Sequence, residues 1–194
     1  MSAETSSPPA PVRSRYHGAK MPLDAYLALP EEKPYLQYWH GTVVQKAVPR
    51  RKHGRIEALT ATELTLYSRV SGGDAVVEPH VWFDVPGDPG YLVPDVAYWA
   101  PGKAQGDDAR MLPPTLAVEI RSPDETIASQ REKCREMRRY GVDVCWLIDP
   151  ERRAIEIFEG AADGKPHEVN SPLTSTLLPG LAIDPGQLFA VLDR

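Results

Sequence analysis

The sequence predicts an α/β fold of mixed α+β character, a mixed sheet with helices packed on it. Three observations predict it. The runs Tyr91–Trp99 and Thr115–Arg121 are rich in β-branched and aromatic residues, as strands are. The stretch from Arg51 to Val70 places Ile56, Leu59, Leu66, Tyr67 and Val70 near helical spacing. A charged segment from Ser129 to Tyr140 follows the second strand run and precedes another strand, Val144–Asp149, where a crossover helix belongs.

The elements follow in order. Residues 1–20 are rich in Ser, Pro and Ala and read as a mobile tail, with residues 21–194 as a single domain. A short helix is expected at Leu23–Leu29, then a strand at Thr42–Val48 after a turn at His40-Gly41. Ser71-Gly72-Gly73 ends the helix that begins at Arg51. Val76–Val85 is a strand interrupted by Pro79, and Pro86–Gly90 is a loop by turn chemistry. The two strand runs come next, separated by a loop from Pro101 to Pro114. Ser122-Pro123-Asp124-Glu125 and Ser129 with Glu132 are two capping boxes, so a helix starts between residues 123 and 130. It runs to Tyr140 and stops at Gly141. Val144–Asp149 and Ala154–Phe158 form a hairpin, and Pro179-Gly180 and Pro185 break the remainder into short pieces.

Composition narrows the function classes. No run of 18 apolar residues exists to span a membrane, and Met1–Ala10 lacks the apolar core of a signal peptide, so a cytoplasmic protein is expected. Cys134 and Cys145 are too few for a zinc site of their own and read as small buried residues. The net charge is −5, but it is uneven: residues 1–55 carry +5, residues 56–126 carry −8 and residues 127–194 carry −2. An acidic middle between more basic segments suits a metal site that must also accept a polyanion.

Asp95 and Glu119 are the most informative residues. Each is a carboxylate within an apolar strand run. Such a placement costs several kcal/mol unless the charge is paired or metal-bound. Two such strands side by side converge hard oxygen ligands on one point, which suits Mg²⁺ or Mn²⁺. Lys133 shares a helix face with Met137 at i+4, at the edge of the buried side. Arg121 lies two residues after Glu119 and by the period-two rule points to the same side. Either cation can stabilise charge developing on phosphorus.

At this point the residues carry a resemblance. Asp95 and Glu119-Ile120-Arg121, with Pro94 before the Asp, resemble the Asp…Glu-x-Lys core of the PD-(D/E)XK nucleases. Pro94-Asp95-Val96, Val118–Pro123, Lys133, Tyr140-Gly141-Val142, Trp146–Pro150, Leu178–Leu181 and Leu188-Phe189 together resemble the bacterial Uma-two family of proposed restriction endonucleases. The resemblance implies a restriction-endonuclease-like mixed central sheet flanked by helices, and a metal-dependent endonuclease acting on DNA. It implies Mg²⁺ or Mn²⁺ as the cofactor, no organic cofactor, no membrane and a homodimer. It makes Asp95, Glu119 and the backbone carbonyl of Ile120 metal ligands, and puts Lys133 in the place of the strand lysine that Arg121 replaces.

Other positions depart from the family. Gln37 stands where an acidic residue is usual, so Glu57 or Glu63 is expected to supply the extra carboxylate. Glu63 is the preferred choice, because it shares a face with Ile56, Leu59, Tyr67 and Val70. His53 sits at a family-like position but within a basic run that reads as surface. Arg50, Arg51, Lys52 and Arg55, and Arg135, Arg138 and Arg139, are the clusters expected to meet DNA phosphates. Two further readings compete: a non-catalytic nucleic-acid-binding or protein-interaction module, and a metal-dependent hydrolase of a small phosphorylated substrate.

Overall fold

The computed structural model describes residues 13–103, 106–107, 110–161 and 163–193. Along the chain run α1 (Leu23–Leu27), β1 (Leu36–Trp39), β2 (Thr42–Gln45), α2 (Arg51–Ser71), β3 (Asp74–Val77) and β4 (Val81–Phe83). Then come β5 (Gly90–Leu92), β6 (Val96–Trp99), β7 (Gly106–Asp107), β8 (Arg110–Met111), β9 (Leu116–Ile120) and α3 (Ile127–Arg139). The chain continues through β10 (Val144–Asp149), β11 (Ala154–Glu159), β12 (Lys165–His167) and α4 (Pro185–Ala190), and a 3₁₀ turn follows at Val191–Asp193.

The mixed α/β architecture is present, but the strands form two sheets. The central sheet has the order β12-β11-β10-β9-β6-β3, and a second sheet of short strands has the order β2-β1-β5-β4-β8-β7. In the central sheet β9 and β10 run parallel, and α3 is their crossover. The expected hairpin of β10 and β11 is antiparallel, with Cys145 opposite Phe158.

The central sheet divides its residues by parity. Val96, Tyr98, Leu116, Val118, Val144, Trp146 and Ile148 pack with Ile56 and Leu64 of α2 and with Leu188 and Phe189 of α4. Their alternates, Ala97, Trp99, Ala117, Cys145 and Leu147, pack with Cys134 and Met137 of α3 and with Val81, Phe83 and Leu92 of the second sheet. The sheet is therefore apolar on both faces, as a sheet covered by helices on one side and by a second layer on the other must be. The two cysteines are buried and free, with their sulfurs 3.0 Å apart.

Two sequence expectations, the single strand over Tyr91–Trp99 and the tail, are revised, and the helix expected to start between residues 123 and 130 does so with a different cap. The run Tyr91–Trp99 is not one strand. It breaks at Val93-Pro94-Asp95, so β5 belongs to the second sheet and β6 to the central one. Pro94 has no N–H to give a ladder, and the chain changes sheets there. Helix α3 starts at Ile127 with Thr126 as its cap, whose hydroxyl accepts the Ser129 N–H at 3.0 Å. The earlier box is a turn in which the Glu125 carboxylate accepts the Ser122 N–H at 2.9 Å. Of the expected tail, residues 1–12 lie outside the described residues. The part from residue 13 is held to β2, where Gly18 N–H donates to Val43 O at 2.8 Å and Val43 N–H donates to Ala19 O at 2.9 Å.

Turn chemistry follows the expected residues. His40 and Gly41 both take positive φ, 49° and 69°, in the two-residue link between β1 and β2. Gly72 closes α2 in the left-handed region at φ 78°. Gly73, next to it, is required for space: a β-carbon there would collide with the Tyr98 hydroxyl and the Trp99 carbonyl. Gly73→Ala is expected to destabilise the fold by about 1–3 kcal/mol in urea denaturation. An unchanged midpoint would mean that the α2–β3 junction yields freely.

Candidate active site

The break at Val93-Pro94-Asp95 positions the site. Where the chain leaves one sheet for the other, Val93 loses its ladder partners. Its N–H is taken by Gln37 Oε1 at 2.9 Å, and its carbonyl lies 3.4 Å from Lys133 Nζ. Gln37 is thus a buried clamp on the break. Asp95 follows, fixed by its own backbone: its N–H donates to Val118 O at 3.1 Å, and its carbonyl accepts Glu78 N–H at 2.9 Å.

Asp95 and Glu119 are each 2 % exposed. Lys46 Nζ donates to Asp95 Oδ1 at 2.8 Å, and Ile120 N–H donates to Oδ2 at 2.6 Å. Lys133 Nζ donates to Glu119 Oε2 at 2.7 Å, while Glu119 Oε1 is buried without a hydrogen-bond partner among the described residues. Glu119 shares sheet parity with Ala117, the side covered by α3, which is why a lysine on α3 reaches it. His53 Nε2 lies 3.5 Å from Asp95 Oδ1 and 3.9 Å from Glu57 Oε2, with Nδ1 3.2 Å from Ser122 Oγ. A small cavity of about 10 Å³, the size of one water or ion, is lined by these groups other than Glu57, and by Ile120 and Glu125.

Burial raises carboxyl pKa values, and neighbouring charges decide the outcome. For Asp95, Lys46, His53 and Lys133 outweigh burial and hold the carboxyl well below the usual range. For Glu119, burial and the Asp95 charge outweigh Lys133 and Lys46 and push it up to about 7. Burial and Asp95 raise Glu57, and burial raises Glu125. His53 is lowered by burial but raised overall by its contact with Asp95.

The structure brings together Asp95, Glu119, Ile120 and Lys133, and adds Lys46 and His53. Lys46 was assigned no role, and His53 was read as surface. His53 lies on the buried stripe His53, Ile56, Thr60, Leu64, whose i+3 and i+4 steps are visible in the sequence. Lys46 leaves no comparable trace, being a single residue after β2.

Arg121 is not at the site. Strand β9 ends at Ile120, so the period-two rule no longer applies one residue later. The Arg121 guanidinium turns to Asp149 at the end of β10, with Nε 2.9 Å and Nη2 3.0 Å from the two carboxylate oxygens. Glu63 is not there either. It is ten residues beyond His53, about 15 Å along the helix axis, and of the face assigned to it Ile56 is in the core while Val70 is 84 % exposed. Glu57, one turn after His53, is the acidic residue of α2 at the site. The basic clusters are mostly committed within the chain. Arg50 pairs with Asp124, Lys52 with Glu151, Arg135 with Glu132 and Asp163, and Arg139 with Glu136 and Asp88. Arg55 donates to Val191 O, and Arg138 to the carbonyls of Val142 and Asp143. Arg51 is exposed.

The donor set fits a hard divalent cation. Carboxylate oxygens of Asp95, Glu119 and Glu57 with one imidazole are ligands that Mg²⁺ or Mn²⁺ accepts, and the unpartnered Glu119 oxygen is a buried acceptor that a cation would satisfy. Asp95, Glu57 and His53 offer ligand atoms within 4.8 Å of one another.

Two expectations follow. Breaking the Arg121–Asp149 pair with Arg121→Ala should cost about 3 kcal/mol of stability in chemical denaturation and leave Mn²⁺ affinity unchanged; a loss of affinity would return Arg121 to the site. The second concerns pH. Glu119, Glu57, Glu125 and His53 are all raised, so the folded chain keeps protons that the unfolded chain has released. The stability they confer is complete below the unfolded values, near 4.3 for Glu and 6.5 for His, and is lost as pH rises through the folded ones, about 7 for Glu119. In EDTA the melting temperature is expected to fall between about pH 5 and 8, less steeply in Glu119→Gln. A profile that rises over this range would contradict burial as the main influence on these groups.

None of the described helices is long and apolar enough to cross a membrane. No curated protein matches the chain. Among solved structures, a protein from Anabaena variabilis ATCC 29413 described as a "putative nuclease belonging to DUF820" is similar over 89 % of this chain and 99 % of its own, at 23 % identity and a TM-score of 0.77. That likeness shows a shared mixed α/β fold. The family model for Uma2, described as "Putative restriction endonuclease", matches residues 23–187, and the chain belongs to that family.

Proposed function

We propose that the protein is a metal-dependent endonuclease that hydrolyses DNA phosphodiester bonds, with residues 21–194 as its nuclease domain. The observation that carries this reading is the pair of buried carboxylates, Asp95 and Glu119, each held by its own lysine and one of them with an oxygen unpartnered among the described residues. Asp95, Glu119, Glu57 and the Ile120 carbonyl would hold Mg²⁺ or Mn²⁺. When bound, such an ion lowers the pKa of a coordinated water and polarises a phosphoryl oxygen.

The chain's own residues do the rest. Ile120 N–H and Lys46 orient Asp95, and Lys46, His53 and Lys133 favour its ionised form. Lys133 orients Glu119 and carries a positive charge beside the cavity, where it stabilises negative charge developing on a phosphate. His53, in contact with Asp95 and Ser122, can accept or give a proton at Nε2 or Nδ1. Cutting two strands would call on two copies of the site related by a twofold axis.

Calorimetric titration of Mn²⁺, with nicking of supercoiled plasmid on the same samples, tests the proposal. Asp95→Ala and Glu119→Ala should abolish metal binding and lower nicking by about 10³-fold or more, and Lys133→Met should lower nicking by about 10²-fold with metal binding kept. Nicking that survives in both carboxylate variants would sink the proposal.

A further inference from the structure

A second, larger cavity of about 390 Å³ adjoins the carboxylate site. Lys46, Glu125 and Lys133 line both spaces, so whatever fills the larger one lies against the groups that hold Asp95 and Glu119. Its volume is in the range of small-molecule sites. Gln37 and Trp39 of β1 contribute from one strand, and two residues apart they project to the same face. Trp39 is half-buried. Gln130 of α3 contributes from the other side. It is 5 % exposed, and its Oε1 has no hydrogen-bond partner among the described residues. A buried amide oxygen with nothing to accept from is a group awaiting a donor.

These are parts that recognise a nucleobase: the Trp39 indole for its face and the Gln130 carboxamide oxygen for a donor on its polar edge. A concave space of this size takes one base, and a base still paired in a duplex cannot enter it with its partner. The committed basic residues point the same way. Of the seven expected to hold phosphates, all but Arg51 donate to groups of the chain among the described residues, pairs that a continuous duplex would have to displace. We propose that this cavity receives one unpaired nucleotide of a DNA strand, so that the substrate of the carboxylate site is single-stranded or locally unpaired DNA. The inference rests on the nuclease reading and specifies its substrate.

The test uses the full chain with Ca²⁺ and three probes: a 12-nucleotide strand carrying one 2-aminopurine, the blunt duplex of the same sequence, and free 2-aminopurine deoxyribonucleoside monophosphate. Affinity is followed by anisotropy and base environment by 2-aminopurine fluorescence. The strand should bind at least tenfold more tightly than the duplex and change its fluorescence on binding. Gln130→Leu and, separately, Trp39→Phe should each weaken strand binding by about tenfold while Mn²⁺ titration stays as in wild type. Equal affinity for duplex and strand, or strand binding unmoved in both variants, would overturn the inference; Glu119-dependent plasmid nicking on the same preparation would then leave the nuclease reading standing. Binding of the free monophosphate as tight as that of the strand would overturn it in favour of a mononucleotide ligand. Strand binding that depends on Gln130 and Trp39, with no cleavage under any divalent ion, would support the cavity's role and remove the nuclease reading instead.

Discussion

Two carboxylates buried side by side must be neutralised, and much of the architecture answers that demand. Asp95 and Glu119 are brought together by the pairing of β6 with β9, where Val96 faces Val118. Lys46 arrives from the end of β2 in the second sheet, and Lys133 from the crossover helix. The two ammonium groups balance the two carboxylates, yet the four side chains come from four different parts of the chain. The site therefore forms only when both sheets and α3 have docked. Removing any one member leaves an uncompensated charge, which is far costlier than removing all four.

The environments of the two carboxylates differ, and this asymmetry is the chemically useful part. Asp95 receives a backbone N–H and a lysine and has an imidazole within reach, so it stays ionised. Glu119 has one lysine and one unpartnered oxygen. Neighbouring acids pushed apart in this way suit distinct tasks, one as a permanent anion and one as a group whose charge depends on what lies beside it.

The sequence revealed those features that single strands and helices encode. Asp95 and Glu119 stood out because a carboxylate within an apolar run needs a reason, and Lys133 because its i+4 neighbour Met137 is buried. Features set by packing between distant segments did not stand out. Lys46 meets Asp95 across 49 residues of chain. Glu63 was preferred over Glu57 because it was grouped with Ile56, Leu59, Tyr67 and Val70, when the fully buried stripe is His53, Ile56, Thr60 and Leu64. Arg121 was misplaced because a rule of strands was carried one residue past the strand's end. The second sheet was hidden because its strands are only two to four residues long and its β5 is fused to β6 in one apolar run.

The seam at Val93-Pro94-Asp95 has a mechanical meaning. Asp95 belongs to the junction between two layers, whereas Glu119 lies well inside one of them. A small rotation of one layer over the other would change the spacing of the two carboxylates before it disturbed either hydrophobic cluster. Substitutions in the short outer strands, remote from the ligands in sequence, would then register as altered chemistry in a chain whose melting behaviour is almost normal.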